Sequence, residues 1–147
     1  MYFEYVIILL IFGIRPVLYK YILPYIQVES VILISGLFYA LMASVYILFM
    51  TPPSKVMNDL RVMNKQKGLY FILLCTALMG LIATYLYLFL LKDSPAFVVT
   101  ALIATYPLVT AATGYLFLNE VVTFTQLIGI VIIITGLVIL NLGDIDY

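Results

Sequence analysis

The sequence predicts an all-α integral membrane protein with five transmembrane helices, and three observations carry that prediction. The 147 residues are 66% hydrophobic and only 10% charged, and the mean hydropathy is +1.23. A soluble domain of this length has too little interior to hide so much apolar surface. The apolar residues also collect in runs near the ~20 residues needed to cross hydrocarbon. Finally, the polar residues gather in short links, above all in 51–67, TPPSKVMNDLRVMNKQK.

Composition removes several function classes. Seven basic and seven acidic residues balance to zero net charge, which argues against a nucleic-acid partner. With no His and one Cys, an internal disulfide cannot form and a His/Cys metal site is not expected. No metal and no cofactor are predicted. The opening Met-Tyr-Phe-Glu lacks the basic flank of a signal peptide, so the first apolar run reads as a retained helix. An enzyme is not expected either, since no paired acids and no nucleophile beside a base fall at membrane depth.

The predicted spans are Phe3–Leu23, Val28–Met50, Gly68–Leu91, Pro95–Leu118 and Thr123–Leu142. The first carries Arg15 near its middle. A cation there costs ~2.5–3.5 kcal/mol on the insertion scale, so it is not expected to face lipid. The acids Glu4, Glu29 and Glu120 all fall near span ends, which leaves Arg15 without an evident ion-pair partner. Two readings stand: an anion-binding or pathway residue in a wet cavity, or an arginine held by tyrosine hydroxyls and carbonyls. Pro16 beside it frees the carbonyl of Phe12 and favours a kink. Tyr19 lies one turn on, on the same face, positioned to hold the guanidinium or to touch substrate. Lys20 is nearer the boundary and is expected to snorkel, toward Glu29.

In the second span Gly36, Ala40 and Ala43 form a small-residue face suited to close helix contact. Pro52-Pro53 ends this span. In the 51–67 link, Ser54 is a candidate cap for a short amphipathic helix with Val56, Leu60 and Met63 on one face. A solvated connector is the equal alternative. The third span has Thr76, Gly80, Thr84 and Tyr87 in one stripe, and Cys75 reads as a small core residue. The fourth has Tyr106, Thr110 and Thr113 on one face. Such stripes usually mark helix packing.

The stretch from Ser94 to Gly136 is the most organised. Asp93 or Ser94 is the expected cap of the fourth span, with Pro95 at its first helical position. Pro107 lies mid-span, frees the carbonyl of Ile103 and favours a kink. Glu120 sits in the turn before the fifth span, where a carboxylate opposes the helix dipole. Thr123-x-x-Gln126 reads as a capping box. Gly129 and Gly136, two turns apart, smooth one face of the last helix.

Pro107 within a small-residue-rich helix, Leu116-Phe-Leu-Asn-Glu120 at its end, then Thr123, Gln126, Gly129 and Gly136 resemble the last two helices of an EamA-type domain of the drug/metabolite transporter superfamily. The likeness is best over the last third of the chain. Upstream, Gly13 and Lys20 fall near a Gly…Lys pattern of the family's first helix, with Phe12 where a Trp is usual. The resemblance implies one five-helix half of a ten-helix, inverted-repeat transporter. It also implies that the first, third and fourth helices line a central cavity, which favours a pathway role for Tyr85, Tyr87, Thr105 and Tyr106 as a group. The expected substrate-pathway residues are therefore Arg15, Tyr19, Thr84, Tyr85, Tyr87, Thr105, Tyr106 and Thr110.

The link 51–67 holds Lys55, Arg61, Lys65 and Lys67. Lys and Arg collect on the cytoplasmic side. The expectation is a multi-pass protein of the cell membrane with the N-terminus inside and the C-terminus outside. The function expected is a half-size transporter subunit. It would pair with a second half, as a homodimer or with a different chain, and move a small anionic or zwitterionic metabolite by alternating access. The alternative is a non-transporting membrane subunit that assembles or stabilises a larger complex. A cation exporter of the small multidrug-resistance kind is disfavoured, because the deep residue of the first helix is Arg15 and the only acid there, Glu4, is shallow.

Overall fold

The computed structural model describes residues 2–142. It contains seven helices: α1 (Tyr2–Ile22), α2 (Val28–Met50), α3 (Pro53–Lys65), α4 (Gly68–Asp93), α5 (Ala96–Ile103), α6 (Tyr106–Leu118) and α7 (Phe124–Leu142). No strand occurs among the described residues. Four segments are long and apolar enough to cross a membrane: Phe3–Ile22, Val28–Met50, Gly68–Asp93 and Ala96–Leu118. A further apolar stretch, Phe124–Leu140, is shorter. The whole of α7, at 19 residues, is about 28 Å long, just under the ~30 Å hydrocarbon thickness. Residues 143–147, and with them the C-terminal end of the expected topology, lie outside the described residues.

Apart from α3, the helices are apolar all round and leave most of that surface uncovered by protein. Phe49 and Phe117 are each 80% exposed. In water such surface would drive aggregation; in a bilayer it is solvated by lipid tails, and only the backbone must be satisfied internally. This is a multi-pass membrane protein.

The chain forms two compact units, one holding the residues up to Val17 and from Asp93 onward, the other Leu18–Lys92. In the second unit the buried side chains are Leu23, Val28, Val31, Leu88 and Leu91. They lie just after α1, at the start of α2 and in the last turns of α4. The Lys20 ammonium ties these ends together, donating to the carbonyls of Leu91 (2.9 Å) and Lys92 (3.3 Å). A cation belongs at the carbonyl end of a helix, where the last C=O groups have no helical donor. In the other unit α5 packs on α7, and Val99 is buried.

Several boundaries differ from the sequence expectation for definable reasons. The 51–67 link is mostly helix. Its N-cap is Pro52, with Pro53 at the first helical position, and not Ser54: a proline with fixed φ and no amide donor takes the position where no donor is needed, which moves Ser54 inside the helix. Likewise Asp93 ends α4, and Pro95 is itself the N-cap of α5 in extended conformation (φ −61, ψ 140); Val99 N–H closes the first turn on the Pro95 carbonyl at 3.2 Å.

The two intrahelical prolines act differently. α1 runs unbroken through Pro16. At Pro107 the helix divides. Ala104 (ψ −2) and Thr105 (φ −80, ψ −9) stay in the right-handed region but with ψ near zero in place of the α-helical value of about −40°, and α6 begins at Tyr106. Pro107 thereby falls in the first turn of a new helix, where its missing N–H is one of the donors left without an intrahelical partner anyway.

Candidate functional site

The expected pathway residues divide between the two units: Arg15, Thr105, Tyr106 and Thr110 belong to one, Tyr19, Thr84, Tyr85 and Tyr87 to the other. Arg15 is exposed on α1, and its neighbour Pro16 is buried. Tyr19, Thr84 and Tyr87 are half-buried. Arg15, Tyr19 and Tyr87 each make an interaction within the chain. For Arg15 the sequence leaves room for this, since it offers tyrosine hydroxyls and carbonyls as partners where no acid lies at its depth. Tyr85 is 39% exposed, and its ring stacks on that of Phe89 one turn on, with centroids 6.4 Å apart and planes at 18°.

Four of the threonine hydroxyls, those of Thr76, Thr105, Thr110 and Thr113, bond backbone carbonyls three or four residues earlier. Thr105 Oγ1 donates to the Leu102 carbonyl at 2.7 Å and Thr110 Oγ1 to the Tyr106 carbonyl at 3.2 Å. Thr113 does the same to Val109 at 2.8 Å, and Thr76 to Leu73 at 2.8 Å. Such back-bonding removes the cost of an unpaired hydroxyl in hydrocarbon. Each oxygen keeps lone pairs that can accept from a donor in a cavity. The stripe on α6 is thus compatible with lipid, with a neighbouring helix or with a wet pathway.

The break at Pro107 is the most irregular backbone of the spanning segments. Leu108 N–H bonds the Thr105 carbonyl at 3.0 Å, and Thr105 N–H reaches the Leu102 carbonyl at a long 3.4 Å. Both are three-residue steps in place of four-residue ones. Pro107 has no proton for the carbonyl of Ile103. Ala104, Thr105, Pro107 and Leu108 face Ile130, Ile133 and Ile134 of α7 across a shallow recess of about 10 Å³, room for one water at most. Irregular backbone at membrane depth is tolerated where protein adjoins it, and here the isoleucines of α7 do.

The junction between α6 and α7 is built from local bonds. Asn119 adopts the left-handed conformation (φ 55), which asparagine tolerates better than most residues. The amides of Asn119 and Glu120 turn back onto the Gly114 carbonyl, the latter at 3.1 Å. Glu120 then folds over Gly114. A Cβ at position 114 would come 2.5 Å from Glu120 Oε2, so glycine is what lets the carboxylate lie there. The first turn of α7 is closed by other groups. Thr123 N–H donates to Gln126 Oε1 at 2.8 Å, and Gln126 N–H donates to Thr123 Oγ1 at 3.4 Å, the reciprocal pair of a capping box.

Sequence reasoning missed the Lys20 tie, because its acceptors lie 71 and 72 residues away. It also missed the Gly114–Glu120 contact, for which the only signal is a glycine six residues before an acid at a helix end.

Comparison with known proteins fits this architecture. Residues 2–142 match the EamA-like transporter family. Over 83 residues, 56% of this chain, the sequence is 32% identical to an uncharacterized protein of Methanocaldococcus jannaschii. The aligned stretch spans 60% of that relative's length. No solved structure matches. A family match running almost from end to end of an all-helical, apolar chain is decisive: the protein belongs to the EamA-like transporter family.

Proposed function

We propose that this unit is one half of a membrane transporter. Five spans, α1, α2, α4, α5 with α6, and α7, pair with a second half of opposite orientation, and a small anionic or zwitterionic metabolite crosses between them by alternating access. The observation that carries the reading is Arg15, a guanidinium in the middle of an apolar span of a chain from a transporter family. Its planar, permanently charged fork suits a carboxylate or phosphate, and intramembrane cations mark pathways far more often than lipid-facing surface. Tyr19, Thr84, Tyr85, Tyr87, Thr105, Tyr106 and Thr110 supply hydroxyls along that pathway. An odd number of spans makes the second half upside down with respect to the first when two are joined in tandem, which is the geometry of inverted-repeat transporters. The basic link 51–67 supports an N-terminus on the cytoplasmic side.

The test is trans-stimulated uptake in proteoliposomes across a panel of small anionic and zwitterionic metabolites. Wild type is expected to exchange at least one class. Arg15→Gln is expected to lower that flux about 10- to 100-fold, the equivalent of one charge-assisted hydrogen bond, while Arg15→Lys retains part of it. If Arg15→Gln folds and every flux is unchanged, the site assignment is wrong. If the wild type moves nothing and Arg15→Gln instead disrupts assembly, the chain is a structural subunit.

A further inference from the structure

The helix α3 stands outside the transport reading. It has 13 residues and none of them is buried. Helical spacing puts Val56, Leu60 and Met63 on one face with Met57 at its edge, and Ser54, Asn58, Arg61 and Lys65 on the other. On the apolar face Val56 and Met63 are half-buried, while Leu60 and Met57 remain 44% and 54% exposed.

Three observations say what covers that face. The first is tethering. Only Thr51 and Pro52 separate α3 from α2, and only Gln66 and Lys67 separate it from α4. Each link reaches about 10 Å at full extension, whereas α3 is about 20 Å long. α2 and α4 are both long and apolar enough to cross a membrane, so both ends of α3 are held beside the bilayer surface and the helix cannot project away from it. The second is a pin at one end: Tyr70 Oη, in the first turn of α4, donates to Asn64 Oδ1 in the last turn of α3 at 2.9 Å. The third is charge. Residues 51–67 hold Lys55, Arg61, Lys65 and Lys67 against Asp59 alone. A helix held flat at a bilayer, with an apolar face and a basic remainder, has the chemistry of an interfacial element attracted to anionic headgroups.

We propose that α3 lies in the headgroup region with Val56, Leu60 and Met63 toward the acyl chains and that its cations bind the phosphates of anionic phospholipids. Lys55, Arg61, Lys65 and Lys67 then recruit anionic lipid to this side of the protein, in addition to biasing which way it inserts.

The chain has no tryptophan, so a single introduced indole reports without background. Leu60→Trp and Asn58→Trp, in the full-length protein in nanodiscs of phosphatidylcholine and phosphatidylglycerol, place a probe on the apolar and the polar face. Acyl-chain bromine is expected to quench Leu60→Trp strongly and Asn58→Trp weakly; equal quenching overturns the placement of the helix. With bromine carried by only one lipid at equal mole fraction, brominated phosphatidylglycerol is expected to quench Leu60→Trp about twofold more than brominated phosphatidylcholine. Raising salt should erase that preference while leaving the total quenching. Equal quenching by the two lipids at low salt overturns anionic-lipid binding and leaves the cations as determinants of orientation only. The salt titration uses all four native cations, so the outcome does not depend on whether a charge-neutralised variant inserts correctly.

Discussion

Pro107→Ala is the perturbation whose outcome follows most directly from the backbone. At the second position of α6 the proline costs little, because no intrahelical acceptor is assigned to that donor; the ~3 kcal/mol interior penalty is therefore not there to be recovered. What alanine permits is fusion of α5 and α6. Residue 107 would gain an N–H for the carbonyl of Ile103. Thr105 N–H would exchange its 3.4 Å contact with Leu102 for a regular helical bond. One new hydrogen bond and one improved one amount to about 1–2 kcal/mol. The recess against Ile130, Ile133 and Ile134 is shallow enough that closing it sacrifices little packing. Pro107→Ala is thus expected to raise stability by about 1–2 kcal/mol, measured by reversible unfolding in mixed micelles, with slower hydrogen exchange at the amides of 105–108. Under the transporter reading it lowers flux as well. A loss of more than about 1 kcal/mol would refute the reasoning and show that packing against α7 holds the break open against the preference of the backbone.

Two further perturbations test local parts of the account. In the capping box the bond from Thr123 N–H to Gln126 Oε1 is 2.8 Å and the reverse one 3.4 Å, so Gln126→Ala is expected to cost about 1 kcal/mol and Thr123→Ala about half of that; thermal unfolding of the two variants, ranked side by side, checks the order. Lys20→Met removes both charge-assisted donations to the end of α4 and is expected to cost about 1–2 kcal/mol, most of it restored by Lys20→Arg, as read from unfolding midpoints and from faster hydrogen exchange in the last turn of α4.

Helices and their ends were legible in the sequence where the cause is local. Apolar runs set the spanning segments, and the Thr123…Gln126 pair marks the start of α7 because both of its bonds lie within one turn. Pro107 marks a departure from helix, but whether the chain bends or restarts depends on the residues around it. There the restart lets Thr105 and Leu108 use three-residue bonds beside α7. Pro16, with the same chemistry, leaves α1 continuous. Pro53 shows how a single ring decides register: it takes the first helical position and displaces the cap from Ser54 to Pro52. Contacts across the chain were not legible. Lys20 meets the end of α4 only because two helix ends converge, and a lysine near a span boundary looks the same in sequence whether it snorkels to water or satisfies carbonyls. The candidate pathway is the least legible part, since threonine stripes serve lipid-facing, packed and wet helices alike once each hydroxyl bonds its own backbone.

Water access to the candidate pathway tests the central proposal without knowledge of the substrate. In a Cys75→Ser background, single Thr84→Cys, Thr105→Cys and Thr110→Cys variants are reacted in membranes with a small hydrophilic thiol reagent. Phe38→Cys and Ile132→Cys, on the apolar surfaces of α2 and α7, serve as controls. The account predicts labelling at 84, 105 and 110, with the controls silent, because thiols react as thiolates and need water to ionise. Silence at all three threonine positions in folded protein would contradict a pathway there and leave these residues as helix packing alone.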